Sequence, residues 1–311
     1  MGPETLPIEI LFPILAIFGI PGKCGLSRGI THYMTAMATG DLMVLVFNVI
    51  VSQIISYHFP SWLLTYTPVC RLNAFLQGLS LQLSIWFTIA FTFDRFVAIC
   101  CNKLKMRYCT ERTANVVIST LTMLNILINI PFSFRLEPSY VLNNVQRGCR
   151  TVSGYLTSSA WAAHRWVTNI SSTFLPITLL LLLNTLTARN ILVASRARRA
   201  LKSSSGGAGK MGSDHELKSR KTSIVLLFTI SGCFMVLSVP ITVISICVSF
   251  THLLAYQSSN SLYLAIRVTF LMTCTSSCTN TCIYALTQRR FREEIKNLLK
   301  SPYYLLLKLQ K

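Results

Sequence analysis

The sequence predicts an all-α membrane protein: a bundle of seven transmembrane helices, an atypically short first helix among them, and an amphipathic eighth helix after it. Three observations carry that expectation. Of 311 residues, 52% are apolar or aromatic and only 13% are charged. The apolar residues gather into runs that reach the roughly 20 residues a helix needs to cross a bilayer. Lysine and arginine, which set the net charge of +19, concentrate in alternate connections between those runs, as the positive-inside rule requires.

Taken in order, Met1–Pro7 has no basic stretch and reads as no cleavable signal peptide. The first apolar run, Ile8–Pro21, makes roughly 21 Å of helix, against a hydrocarbon layer of ~30 Å. It either thins the bilayer, draws loop residues inward, or fails to insert stably. Six longer runs follow, at about Tyr33–Tyr57, Leu72–Cys101, Ala114–Phe134, Trp166–Leu192, Ser223–Phe250 and Ser261–Leu286. Each is read as a helix, because in lipid a helix satisfies its own backbone groups.

With the N-terminus outside, the inner connections hold Lys23 and Arg28, then Lys103, Lys105, Arg107 and Arg112. A third inner loop, about 196–221, carries eight basic residues from Arg196 to Lys221, and the tail adds Arg289, Arg290, Arg292, Lys296 and Lys300. Only Arg71, Arg135, Arg147, Arg150, Arg165 and Arg267 fall outside. The pI of about 9.8 therefore reports topology and contact with anionic inner-leaflet lipids, not nucleic-acid binding. This places the C-terminus in the cytoplasm.

Residues 1–286 read as a single membrane domain, and 287–311 as a surface helix with a short cytoplasmic tail. Within the third inner loop, Ser203–Gly209 has the composition of a flexible linker. In the tail, Phe291, Ile295 and Leu298 recur at helical spacing among charges, the pattern of a helix lying on the inner surface. A disordered basic tail is the alternative.

Of eleven cysteines, only Cys70 and Cys149 fall outside the bilayer, where oxidation is allowed. A bridge between them would pin the long outer loop over the mouth of the bundle; two free thiols are the alternative. Cys100, Cys101 and Cys109 lie at the inner surface, either palmitoylated or simply reduced. Asn169-Ile170-Ser171 matches a glycosylation acceptor, but at the outer end of the fifth span. Trp161, His164, Arg165 and Trp166 beside it read as an interfacial belt.

Two charged positions stand inside the apolar runs. Asp94-Arg95-Phe96 closes the third span, where burying a cation calls for a function; the plain alternative is a charged pair ending a helix at the headgroups. Asp41 is a lone carboxylate inside the second span, which needs either a partner or a proton.

Seven spans, Asp94-Arg95-Phe96, the Cys70/Cys149 pair and the tail helix together resemble the rhodopsin-like class of G-protein-coupled receptors, over nearly the whole chain. The wording Ser84-Ile85-Trp86 followed by Phe93-Asp94-Arg95-Phe96-Val97-Ala98-Ile99-Cys100 is most similar to the orphan subgroup of G-protein coupled receptors 139 and 142. The resemblance implies a plasma-membrane receptor that couples an extracellular small molecule or peptide to a heterotrimeric G protein through movement of helix six. It maps the switch onto Asp94, Arg95, Phe96, Asn280 and Tyr284, with Asp94 holding Arg95 inward at rest. It maps a sodium pocket onto Asp41, Ser84, Ser276, Ser277 and Asn280, the one metal expected; a protonated Asp41 without an ion is the alternative. Gln77, Gln82, Trp86 and Arg267 are the candidate ligand-pocket residues, with Asn260 beside them, and Arg267 either pairs with a ligand carboxylate or snorkels to headgroups. Gln77 stands where aminergic receptors carry an aspartate, which disfavours a monoamine.

The sequence departs from the family pattern at several points. Phe96 replaces a tyrosine, Thr281 a proline and Ser238 a tryptophan, while Lys218–Lys221 lacks the acidic partner usual at the start of helix six. Helix one lacks its asparagine and two to three turns, because Lys23-Cys24-Gly25 follows Gly22 at once. Pro176 and Pro240 remain to kink helices five and six. A transporter or channel would show inverted repeats or broken helices, and none is evident. A retained, non-signalling receptor-like chain is the second reading, raised by helix one. No nucleophile–base pair or metal-ligand cluster suggests an enzyme, and the histidines are dispersed.

Overall fold

The computed structural model describes residues 28–55, 65–155, 157–204, 225, 228–244, 264–265, 268–277 and 279. Several predicted features therefore lie outside the described residues: the first span, the linker from Ser205 onward, the basic stretch Lys218–Lys221, and the eighth helix. The same is true of four site positions, Asn260, Arg267, Asn280 and Tyr284.

Among the described residues the architecture is helical, with a small β-structured outer loop. Helix α1, Arg28–Val44, continues directly into a π-helical segment, Leu45–Ile55, and together they form the second span. Helix α2, Thr67–Cys100, is the third span. A short α3, Asn102–Tyr108, follows in the inner connection, and α4, Glu111–Ser133, is the fourth span. The fifth is a rod made of α5 (Ser159–Asn169), a π-turn (Ile170–Phe174) and α6 (Leu175–Ser204). Helices α7, Phe228–Ile244, and α8, 268–277, belong to the sixth and seventh. Among the described residues, four stretches are long and apolar enough to cross a membrane: Gly29–Ser52, Thr67–Cys100, Glu111–Ser133 and Ser159–Arg196.

Helix ends differ from the hydropathy edges for local reasons. Helix α2 starts at Thr67 rather than Leu72, with Pro68 in its first turn, where a missing N–H is no loss. Helix α4 starts at Glu111 rather than Ala114: the Thr110 side chain accepts from the Thr113 N–H at 3.2 Å, and Glu111 faces the positive end of the helix dipole. The fifth rod begins at Ser159, seven residues before the predicted edge, and runs through Ser203 and Ser204, where the sequence suggests linker. Pro176 is felt just ahead of itself. It has no N–H to give, and the chain widens to a π-turn in which the Leu175 N–H reaches the Ile170 carbonyl. The glycosylation acceptor Asn169-Ile170-Ser171 lies within this rod, with Ser171 buried.

The outer loop, read from sequence without secondary structure, folds into four short strands. Strand β1 (Leu136–Glu137) pairs with β4 (Arg150–Thr151), and β2 (Tyr140–Leu142) pairs with β3 (Val145–Arg147), both antiparallel. The β2–β3 turn is Asn143-Asn144 at φ 50° and 58°, the left-handed pair of a two-residue hairpin that asparagine tolerates. Gly148 follows at φ 71°, where a Cβ would stand 2.7 Å from that of Ser139. Its N–H donates to the Thr65 carbonyl at 2.7 Å, and the Thr67 hydroxyl donates to its own carbonyl at 2.9 Å. These contacts seat Cys149 over the start of α2, where it is bridged to Cys70 with 6.5 Å between Cα atoms.

The core is organised around α2. Tyr33, Met34, Met37 and Ala38 of α1 pack with Leu79, Leu83, Phe87, Ala90 and Phe91 of α2, Ala114 of α4 and Ile230 of α7. A second cluster joins Ile85 and Ile89 to Leu180 of α6 and Phe234 of α7. Helix α4 turns Val116, Met123 and Leu127 outward, each more than half exposed, which suits a lipid-facing surface.

Candidate functional site

The interior polar site begins at a glycine. A Cβ on Gly40 would stand 3.2 Å from the Ser84 nitrogen and 3.3 Å from its Cα, so α1 and α2 come together backbone to backbone there. That approach brings the next residue, Asp41, against Ser84. The Ser84 hydroxyl donates to Asp41 Oδ1 at 2.5 Å and lies 3.4 Å from the Ser277 hydroxyl on α8. Asp41 is 1% exposed. Ser276 is buried nearby in sequence, with its hydroxyl donating to the Thr273 carbonyl at 2.7 Å. A carboxylate with hydroxyl oxygens is an all-oxygen donor set, which fits a hard cation.

Above Asp41 a polar ladder climbs between the second and third spans. The Asn48 amide donates to the Ser80 hydroxyl at 2.9 Å, and Gln77 Nε2 donates to the Ser52 hydroxyl at 2.6 Å. Ser52 in turn donates to the Phe47 carbonyl at 2.6 Å, inside the π-helical segment. Gln77 is thus tied to α1's extension. Gln82 faces the opposite way: its Oε1 accepts from Asn129 of α4 at 2.6 Å and it is 2% exposed. Trp86, half-buried, packs against the Ile85–Leu180–Phe234 cluster. The structure therefore spreads these three ligand-pocket candidates over three interfaces of α2.

At the inner end, Arg95 Nε donates to Asp94 Oδ2 at 3.1 Å, and its Nη2 donates to the same oxygen. Asp94 is 1% exposed and Arg95 9%, so the pair is closed off from water. The guanidinium also lies 5.9 Å above the Phe91 ring. The Cys109 thiol donates to the Asp94 carbonyl at 3.7 Å. Burial, and then the Asp94 charge, push that thiol up to about 11, and burial raises the Tyr108 hydroxyl as well. Tyr108 meets the Phe93 ring edge-on at 5.3 Å, and half-buried Phe96 lies 6.4 Å from Phe93. Beside them, His32 Nε2 stands 3.4 Å from Glu111 Oε1.

Of the residues predicted from sequence, the structure unites Asp94 with Arg95, Ser84 with both Asp41 and Ser277, and Cys70 with Cys149. Sequence reasoning missed Tyr33, Tyr108 and Cys109 around Asp94, and Asn48, Ser80 and Asn129 around the glutamines. A signal existed for Tyr108 and Cys109, an aromatic and a thiol interrupting a basic loop. For Asn48 and Asn129 the signal was an amide within an apolar run.

Residues 14–284 match the family described as 7 transmembrane receptor (rhodopsin family). Among curated proteins the chain is similar to the melatonin receptor type 1B of Rattus norvegicus, 21% identical over 301 residues, covering 96% of this chain and 76% of that receptor. Matched along most of its length and built as a helical bundle with a bridged outer loop, the chain belongs to the rhodopsin family of seven-transmembrane receptors, multi-pass membrane receptors and not enzymes.

Proposed function

We propose that this receptor couples an extracellular small molecule or peptide to a heterotrimeric G protein, with its N-terminus outside and its C-terminus in the cytoplasm. The observation that carries the reading is the ion pair of Asp94 and Arg95, buried at the inner end of α2. An arginine desolvated beside one carboxylate is stable only while that geometry lasts. Outward movement of α7 frees Arg95 for the G protein, with Phe96, Asn280 and Tyr284 as the other parts of the switch. Asp41, Ser84, Ser276, Ser277 and Asn280 hold a sodium ion that favours the resting arrangement, the oxygen donors around Asp41 supporting that role. Gln77, Gln82, Trp86 and Arg267 line or brace the ligand pocket. Within the family, the wording from Ser84 to Cys100 favours the orphan subgroup of receptors 139 and 142.

The test is a second-messenger screen in cells with Arg95→Ala as control. A ligand response that disappears with Arg95→Ala supports the coupling, and a response that survives it unchanged sinks it. In parallel, Arg220→Glu supplies the acidic partner that helix six lacks; lower basal signalling is expected, and equal basal activity counts against an unlatched resting state. The short first span favours a second reading, a retained and non-signalling chain. Surface labelling of an N-terminally tagged chain decides between them: label on intact cells supports the receptor, and label confined to permeabilised cells supports retention.

A further inference from the structure

We propose that Arg135 and Arg165, converging on Tyr155 beneath Trp161, form an outer-face site for an anionic group, a carboxylate or a phosphate, carried next to an apolar or aromatic body. The outer side of this receptor is rich in cations and poor in acids. Among the described residues there, Glu137 is the one acidic side chain, and Arg150 Nε already holds it at 2.9 Å. Arg71 donates to the Leu136 carbonyl at 2.9 Å and Arg147 to the Thr65 hydroxyl at 3.4 Å.

Arg135 and Arg165 behave differently, because both are gathered onto one residue. Arg165 Nη1 donates to the Tyr155 carbonyl, and its guanidinium lies 5.2 Å over the Tyr155 ring. Arg135 interacts with the same Tyr155 side chain and stacks 3.5 Å over the Phe132 ring. Its Nε is buried without a hydrogen-bond partner, and burial pushes the guanidinium below its ordinary range. Among the described residues, neither arginine joins an ion pair. Arg135 leaves a buried donor unsatisfied, which is costly as it stands, and an anion is the natural complement of the two arginines: guanidinium presents a planar fork of donors to carboxylate or phosphate oxygens.

The surroundings supply the apolar half of the recognition. Trp161 packs on Tyr155 at 5.4 Å, and His164 meets Trp161 edge-on at 5.9 Å. His164 Nε2 also lies 3.1 Å from the Ile128 carbonyl, which binds α5 to α4. Three of the residues predicted to form an interfacial belt, Trp161, His164 and Arg165, are thus turned onto one another or onto Tyr155. All of them are half-buried, and so reachable from outside.

The test uses the full chain in phosphatidylcholine nanodiscs without G protein. A negative result therefore leaves signalling through Arg95 untouched, and a silent receptor leaves this site untouched. One arm titrates phenylacetate, with sodium chloride at matched ionic strength as control; the other replaces part of the phosphatidylcholine with phosphatidylserine. Unfolding midpoint and tryptophan emission are read in both. A saturable rise of several degrees is expected, from phenylacetate for a soluble ligand or from phosphatidylserine for a lipid headgroup. Arg165→Gln and Arg135→Gln weaken the apparent affinity by about tenfold or more, Arg165→Lys weakens it less, and Arg150→Gln leaves it unchanged. No saturable effect in either arm, or equal affinity in Arg150→Gln and Arg165→Gln, overturns the site. Arg165→Lys keeps the test decisive if Arg135→Gln fails to fold.

Discussion

The two ends of this bundle treat buried charge in opposite ways. At the inner end, the buried cation among the described residues, Arg95, meets an acid of the same chain, Asp94. At the outer end, Arg135 and Arg165 are drawn onto an aromatic cluster without a carboxylate among the described residues. An internally paired charge can be exchanged between two arrangements, as a switch requires, while an uncompensated one waits for something from outside. The scaffolds differ in kind as well. Helices packed as closely as Gly40 on Ser84 hold the inner and middle bundle, whereas the outer end depends on a hairpin and one disulfide.

The largest change should come from cutting that outer tether. Cys149→Ser opens a loop of 79 residues, which on chain-entropy grounds costs about 4.5 kcal/mol. The unfolding midpoint and surface display of the variant should both fall sharply, and wild-type values for both would show that the hairpin is held without the bridge. Overpacking the α1–α2 contact comes next. Gly40→Val forces a side chain against the Ser84 backbone and should cost about 1–3 kcal/mol, read as a lower denaturation temperature, with Gly40→Ala milder. Full stability in Gly40→Val would mean the two helices can part freely.

Ser84→Ala is expected to matter about as much for function but less for fold. It strips Asp41 of a donor, at about 1–3 kcal/mol for the group left unsatisfied. It should also abolish any stabilisation that sodium gives over choline in a thermal-shift titration; a sodium effect retained in full would move the ion elsewhere. The smallest effect is chemical. With its thiol pushed up to about 11, Cys109 is almost wholly protonated at neutral pH. Its labelling by iodoacetamide should be slow and should rise about tenfold per pH unit until the pH nears that value. Mass mapping that finds Cys109 labelled as fast as a free cysteine at pH 7 would contradict its packing against Asp94.

The fold was legible because bilayer physics writes it into composition: runs of about 20 apolar residues and basic inner loops leave few alternatives. Legibility stopped where tertiary contacts decide. Hydropathy marks the apolar part of a helix, so it missed the polar turns of α5 before Trp166 and the extension of α6 through Ser204. The outer strands were invisible because Tyr140–Arg147 alternates too briefly for periodicity to register, although Asn143-Asn144 was a turn signal. Asp41, Asp94 and Arg95 stood out as charges in an apolar background. Gln82 and Gln77 did not reveal their directions, since a polar side chain on a helix with neighbours on several sides can face any of them. Only the partners Asn129 and Ser52 tell them apart.

The central claim is that Asp94 restrains Arg95 at the inner end of α2. Its most direct test is basal G-protein activation by Asp94→Asn, at matched surface density, beside wild type and Arg95→Ala. Removing the charge that compensates a buried arginine should destabilise the paired arrangement by about 3–5 kcal/mol. Basal activity should then rise several-fold in Asp94→Asn and vanish in Arg95→Ala. Basal activity unchanged in Asp94→Asn, with Arg95→Ala signalling like wild type, would contradict the account.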